Sequence, residues 1–298
     1  MSATATPAPN DHMELGQHCE FLGLMPSSEM LMRWFICDQT EMGRYRLKGH
    51  AERDFWDWMA SWARMAEHPS DLGDEIDGFD LPKLRIVRHF VESAVQAHAG
   101  ELFASVDVSA TAMHDLKRQT SANRADKVAQ IVGSDPAESW VLWCDTNYEA
   151  DALKRALVGI DAVEEVRGSD PIERKEHVLA GFADGSVRIV ITKPSICGWG
   201  LNWQHCARVV FVGRSFSYES WYQAVRRCWR FRQMRPVTVH LIVDETEESI
   251  GRVIDRKATD HARMKNAMVA AMRRTAGRGE SVKQIYNPTH DGRLPAWL

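Results

Sequence analysis

Gln223 to Gln233 reads QAVRRCWRFRQ, and Arg235 follows two residues later. Arginine is a planar, permanently charged fork that matches phosphate and carboxylate geometry. The chain as a whole carries a formal net charge of -4, so this is a local concentration of guanidinium and not general basicity. At 100° per residue, Trp221, Val225, Cys228 and Trp229 fall on one stripe, with Gln223, Arg226, Arg227 and Arg230 opposite. The spacing predicts a helix anchored by one face and offering arginines on the other. A solvated basic face is the ordinary alternative for any such helix. A second stretch, TKPSICGWGLNWQ (192–204), directly follows the apolar run VRIVIT. Gly198 and Gly200 allow backbone geometries and close approaches that a side chain forbids, and Asn202 offers an amide for oriented hydrogen bonds. A tight turn accounts for a lone G-x-G equally well. The two stretches at this separation point to phosphate chemistry more specifically than either alone.

The elements that must hold these residues alternate two periods between Trp140 and Val243. Short β-branched runs at 140–144, 163–166, 187–192, 208–212 and 237–243 are separated by helical or looping segments. Ile189-Val190-Ile191 is apolar on both faces, as strands covered on both sides must be. This predicts an α/β, doubly wound parallel sheet, whose carboxyl edge is where such folds bind ligands. Between the second and third strands, Asp170 as N-cap, Pro171 at the first helical position, Glu173 completing a capping box and Gly181 near the end mark a helix.

Residues 1–135 lack that rhythm. Phe55, Trp56, Trp58, Met59 and Trp62 recur at helical spacing and read as packing surface, not as a base-stacking platform. HPSDLGDEIDGFDLPK (68–83) is acidic and turn-rich, hence a loop. Residues 246–275 read as helix, with basic residues in excess from Arg252 onward; a solvated face is favoured there over a phosphate-contacting tail.

At 298 residues with 44% hydrophobic content, the chain holds one large or two modest domains. Its six cysteines form no C-x-x-C pair, which argues against a zinc ribbon and a secreted disulfide framework and for a reducing, cytoplasmic setting. No segment is long and apolar enough for a bilayer, and no signal peptide is evident at the N-terminus, so a membrane partner is not expected.

QAVRRCWRFRQ resembles motif VI of superfamily-two helicases of the Swi/Snf branch, with Gln223, Arg227, Arg230 and Gln233 at the patterned places. ITKPSICGWGLNWQHCARVVFVG (191–213) resembles motif V and the following strand, WVLWCDTNYEADALKRAL (140–157) motif IV, and RGSDPIERKEHVLAGF (167–182) the segment between them. SATATPAPND (2–11) is similar to motif III, the connector closing the first RecA-like lobe. The resemblance runs from residue 2 to about residue 255 and is to the compact Swi/Snf-like helicases of bacteria and their phages in particular. It implies a motif III remnant and helical inter-lobe region over 1–135, a C-terminal RecA-like lobe over 136–255 and a basic helical extension over 256–298. It also implies that Arg227 and Arg230 serve as catalytic arginine fingers, with Gly198, Gly200, Asn202 and Gln223 at the nucleotide. Thr192, Lys193 and Asn147 would contact the DNA backbone.

The sequence departs from the pattern at three places. Pro194 to Cys197 lengthen motif V, Arg232 stands where a glycine precedes the last Gln, and no G-x-x-x-x-G-K-[ST] phosphate loop occurs. ATP with Mg²⁺ would therefore be shared with a first lobe carrying the Walker A and B motifs, on another chain or upstream, and no hydrolysis is expected from this chain alone. The alternative is a non-catalytic DNA- or protein-binding module derived from a helicase. Two acidic stretches imitate a Walker B acid: Asp74-Glu75-Ile76-Asp77, which a loop precedes, and LIVDETEE (241–248), which lies after motif VI, where Thr246-Glu247-Glu248 fits a helix start. Both read as structural.

Overall fold

The computed structural model describes residues 3–37, 45–73, 76–92, 110–198, 200–213, 215, 217–244 and 247–276. In chain order these form α1 (Leu15–Phe21), α2 (Ser27–Trp34), β1 (Phe35–Cys37), β2 (Tyr45–Leu47), α3 (Glu52–Trp62), β3 (Leu84–Val91), α4 (Ala110–Gln119), α5 (Ser121–Ser134), β4 (Trp140–Trp143) and α6 (Asn147–Ala156). They continue with β5 (Val163–Glu165), α7 (Ile172–Asp184), β6 (Ile189–Thr192), α8 (Pro194–Cys197), β7 (Arg208–Phe211), α9 (Tyr218–Val225), β8 (Val237–Asp244) and α10 (Glu248–Ala276).

Six strands make one sheet in the order β3-β8-β7-β4-β6-β5, every neighbouring pair parallel. Side-chain alternation sorts the strands onto two cores. Val141, Trp143, Val190, Val209 and Leu241 face one layer, closed by Val178 and Phe182 of α7 and Ala224 and Val225 of α9. Trp140, Leu142, Ile189, Ile191 and Val210 face the other, closed by Val128 and Val132 of α5 and Leu153 of α6. Each such aliphatic side chain taken from water stabilises the fold by roughly 1.5–3 kcal/mol. The result is the α/β, doubly wound parallel sheet expected from the strand rhythm.

All five anticipated strands form. The sixth, β3, comes from the region expected to be helical, and it pairs with β8 from Leu84↔Val237 to Val91↔Asp244. Its sequence, LRIVRHFV, hides the strand because it is an edge: most of its side chains are exposed, so charge and apolar residues mix without period. α5, also upstream of residue 136, covers one face of the same sheet.

A third core joins the two ends of the chain. Phe55, Trp56 and Met59 of α3, with Met30 and Trp34 of α2, pack on Met264, Met268, Ala271 and Met272 of α10. The tryptophans of α3 are thus packing residues, as their spacing indicates. α10 runs unbroken from 248 to 276, across the position where an extension is expected to begin. Several of its basic residues are exposed, in keeping with a solvated face, and three pair with carboxylates of the N-terminal region: Arg263 with Glu52 at 3.2 Å, Lys265 with Glu67 at 2.9 Å, and Arg274 with Asp57 at 2.6 Å.

The start of α7 differs from expectation. The helix opens at Ile172 with Pro171 as N-cap and no side-chain cap, while the Asp170 carboxylate accepts from the Arg167 amide at 2.7 Å. It ends at Gly185, whose φ of 90° is the left-handed stop that glycine provides. Gly181 lies inside the helix, where a Cβ would come within 2.9 Å of Ser186 Oγ. A capping box does occur, but on α6, where Thr146 and Glu149 cap each other's backbone.

Candidate nucleotide and nucleic-acid site

Asn147 and Lys193 follow the carboxyl ends of β4 and β6, whereas the arginine turns lie past the end of α9, where Trp229 and Gln233 bond the chain just ahead of β3 and β7. After β6, Lys193 caps the four-residue α8, and Gly198 ends it with its amide donating to the Pro194 carbonyl at 2.8 Å. A Cβ on Gly198 would stand 2.2 Å from that same oxygen, so the chain passes only as glycine. Gly200 follows with φ 74°, again a glycine conformation. The reversal leaves Asn202 exposed and drives Trp203 into the core between Trp143 and Phe182. The Leu201 carbonyl is turned toward the arginine segment.

That segment is not a continuous helix. α9 starts at Ser217, whose Oγ accepts from the Ser220 amide at 3.1 Å, and ends with Arg226 as its C-cap. Residues 226–232 then form successive tight turns. Tertiary bonds replace the helical ladder: the Trp203 amide donates to the Arg227 carbonyl at 2.9 Å, and Gln233 Nε2 donates to the carbonyls of Cys206 at 3.0 Å and Cys228 at 3.2 Å. Arg232 sits at φ 68°, the left-handed region. This is the position where the helicase pattern has glycine, so the departure noted in sequence is a side chain tolerated in a glycine's conformation.

The expected opposition of faces is corrected in one respect: Gln223 is buried with the apolar stripe, while Arg227 and Arg230 are half-buried. Arg230 donates to the Leu201 carbonyl at 2.9 Å, and Arg227 donates to the same oxygen at 3.2 Å. Arg227 Nε also bonds the Gln223 carbonyl at 3.1 Å, and its second terminal nitrogen reaches Gln223 Oε1 at 3.4 Å. Gln223 Nε2 in turn donates to Thr6 Oγ1 at 3.2 Å, and Thr6 donates to Glu219 at 3.0 Å. The N-terminal stretch likened to motif III is therefore tied through one glutamine to Arg227.

Neither arginine has a carboxylate partner among the described residues. Burial pulls the Arg227 pKa down, and the neighbouring Arg230 and Arg226 charges add to the effect. Burial does the same to Arg230, helped by Arg226. Clustered cations held this way, without internal neutralisation, favour an incoming anion.

A loop that sequence reasoning took only for a connection braces the turns. The Trp229 indole donates to the Pro82 carbonyl at 2.7 Å, and Phe79 stacks on Phe231 with ring centroids 4.4 Å apart. Asp74 and Glu75 lie outside the described residues; Ile76 and Asp77 follow as exposed loop, consistent with a structural reading. In LIVDETEE, Asp244 ends β8 fully buried, and Glu247 pairs with the buried Arg124 at 3.0 Å. Glu245 and Thr246 lie outside the described residues.

The three residues assigned to a DNA backbone divide. Thr192 is 1% exposed, and its hydroxyl donates to the Val166 carbonyl at 3.2 Å. Its side chain cannot reach a nucleic acid, which corrects the expectation: the last residue of a central strand points into the core. Lys193, half-buried, and Asn147, exposed in the first turn of α6, stand beyond the carboxyl ends of the adjacent strands β6 and β4. Two participants carry no sequence signal, the Leu201 carbonyl because it is backbone and Pro82 because it lies far away in the chain. Thr6 was legible only through the motif around it. Among the described residues no group of three or more His, Cys, Asp or Glu is placed to hold a metal, so no Mg²⁺ ligand set is identified. No helix among them is long and apolar enough to cross a membrane.

Residues 123–232 match the family model described as the helicase conserved C-terminal domain. No curated protein matches the chain. Solved structures that it resembles include the C-terminal part of the Fun30 ATPase domain, at 20% identity and TM-score 0.40 over 47% of this chain and 46% of that one. The C-terminal domain of the DEAD-box protein Dbp5 aligns at 16% identity and TM-score 0.41, over 47% of this chain and 80% of that one. A DEAD box protein from Methanococcus jannaschii aligns at 18% identity and TM-score 0.40, over 45% of this chain and 36% of that one. The chain thus spans less than half of the Fun30 and Methanococcus jannaschii chains it matches. The stretch that runs from α5 through the arginine turns is similar to the conserved C-terminal domain of helicases.

Proposed function

We propose that this chain is the C-terminal half of an ATP-dependent DNA translocase of the Swi/Snf type. The observation that carries the proposal is the convergence of Arg227 and Arg230 on the Leu201 carbonyl, with no carboxylate among the described residues to neutralise them. A bound ATP would supply a γ-phosphoryl group whose transfer develops negative charge. Arg227 and Arg230 are arranged to exchange the neutral carbonyl acceptor they share for that charge, the electrostatic role of arginine fingers, worth about 10³ to 10⁵ in rate. Gln223 holds Arg227 in place and links it to Thr6, so that the segment 4–6 senses the same site.

The donor set fits phosphate and does not fit Mg²⁺, which with the phosphate-loop lysine must come from a first lobe carrying Walker A and B motifs. Gly198 and Gly200 shape the loop that presents Leu201, with the exposed Asn202 beside it. Lys193 and Asn147 are then the DNA-backbone contacts, made without reading sequence.

The test is complementation. A Swi/Snf-type first lobe, fused upstream or mixed in, should give Mg²⁺-dependent phosphate release that requires DNA and this chain together. Retained DNA binding with no turnover under any such pairing would favour a non-catalytic binding module.

A further inference from the structure

Away from the Leu201 site, the N-terminal segment, α1, α3, α9 and α10 line an open pocket of about 600 Å³. That volume lies in the range of small-molecule sites. Its walls are apolar and adaptable: Leu15, Trp56, Met59, Met264 and Met268, all buried. Four charged side chains line it, Arg64, Glu67, Arg226 and Lys265. Lys265 and Glu67 neutralise each other at 2.9 Å. Arg64 donates only to backbone, including the Ala63 carbonyl at 2.9 Å. Arg226 makes no side-chain hydrogen bond or ion pair among the described residues; its guanidinium lies 5.3 Å from the Trp229 ring centre and 5.9 Å from that of Tyr222. Of the nearby polar groups, His18 is tied to the Pro7 carbonyl at 2.9 Å.

Arg64 is exposed to solvent, so one positive charge, Arg226, remains unmatched in an aromatic and thioether-lined hollow, with one terminal nitrogen buried and without a hydrogen-bond partner among the described residues. A buried charge left in this way favours an anion that answers it. We propose that this pocket binds a small organic anion with an apolar body, a carboxylate or sulfonate whose head meets Arg226 and whose body lies against Trp56, Met59 and Met268. Ala3, Thr4 and Ala5 form part of the wall, next to the Thr6 that bonds Gln223. The occupant would thus touch the segment tied to Arg227 without entering the arginine–Leu201 site.

The probe is 8-anilinonaphthalene-1-sulfonate, with N-phenyl-1-naphthylamine as its neutral counterpart, each titrated by fluorescence into the full chain. The sulfonate should bind saturably with one site per chain. Arg226→Gln should weaken it at least about tenfold, the loss expected for one charge-assisted contact, and leave the neutral probe within about twofold. Ala63→Trp, which fills the pocket from the half-buried end of α3, should weaken both probes. Thermal unfolding midpoints of the variants report whether each keeps the fold. If Arg226→Gln fails to fold, Ala63→Trp decides. Unsaturable sulfonate binding, sulfonate affinity unchanged in a folded Arg226→Gln, or both probes unchanged in Ala63→Trp would each overturn the proposal.

Discussion

Arg124 is completely buried, and its removal should be the most damaging single substitution in the sheet domain. Its Nε donates to Thr120 Oγ1 at 2.8 Å, and one terminal nitrogen donates to the Val212 carbonyl at 3.2 Å, the Ile242 carbonyl at 3.0 Å and Glu247 at 3.0 Å. One guanidinium therefore pins α5 to the ends of β7 and β8 and to the start of α10. Arg124→Met keeps most of the volume but strands a fully buried carboxylate and two carbonyls. Breaking a buried pair from one side costs about 3–5 kcal/mol. At roughly 2–4 °C per kcal/mol for chains approaching this size, the midpoint should fall by roughly 6–20 °C. Arg124→Met combined with Glu247→Leu removes the stranded charge as well and should recover most of the loss, because a buried ion pair replaced by apolar groups is often near neutral. Circular dichroism melts of the two single variants and the double variant measure the cycle. A drop under about 1 kcal/mol for Arg124→Met, or a double variant as unstable as the single, would refute the reasoning.

Arg232→Gly should stabilise the chain by about 0.5 kcal/mol in urea unfolding, since a left-handed L-residue costs about 1–2 kcal/mol while glycine loses about 0.5–1 kcal/mol more chain entropy. Burial lowers the His240 pKa to about 4, and the His89 and Arg208 charges add to this; burial likewise lowers His261 to about 4, with Lys265 adding. Both are neutral in the fold and bind protons more readily unfolded. Stability should thus be full above about pH 6.5, fall between 6.5 and 4, and fall less steeply in His240→Gln, as melts across that range would record. The chain alone should release no phosphate from Mg²⁺-ATP above background in a coupled assay, with or without DNA, because no phosphate-loop lysine is present. DNA binding by anisotropy should be weak, insensitive to sequence and steeply reduced by salt, and further reduced by Lys193→Gln.

How much of this was legible in the sequence depends on which face a residue shows. β4 and β6 announce themselves because they are buried on both sides and leave continuous apolar runs. β3 does not, because at an exposed edge Arg85, Arg88 and His89 are as acceptable as Ile86 and Phe90. The arginine segment has a flawless helical period, yet the helix stops at Val225. The Trp203 amide and the Gln233 side chain capture carbonyls that a longer helix would have used, and such tertiary competition has no local signature. Arg227 and Arg230 could be named from the resemblance to motif VI, but their shared acceptor could not, since a backbone oxygen is the same in every residue. The resemblance assigned Thr192 to the DNA backbone, whereas its hydroxyl is bonded to the Val166 carbonyl just past the neighbouring strand β5. The basic excess of α10 was visible, but not the pairing of three of its residues with carboxylates of the N-terminal region.

If Arg230 is the proposed finger, it meets charge that appears only in the transition state. With a Walker A and B lobe fused upstream or supplied in trans, DNA-stimulated turnover of wild type and Arg230→Ala should be compared beside their unfolding midpoints and DNA affinities. The expected result is a fall in kcat of at least about 10²-fold at unchanged midpoint and affinity, with Arg230→Lys rescuing little because an ammonium lacks the planar fork. Ordinary turnover in a folded Arg230→Ala enzyme would contradict it.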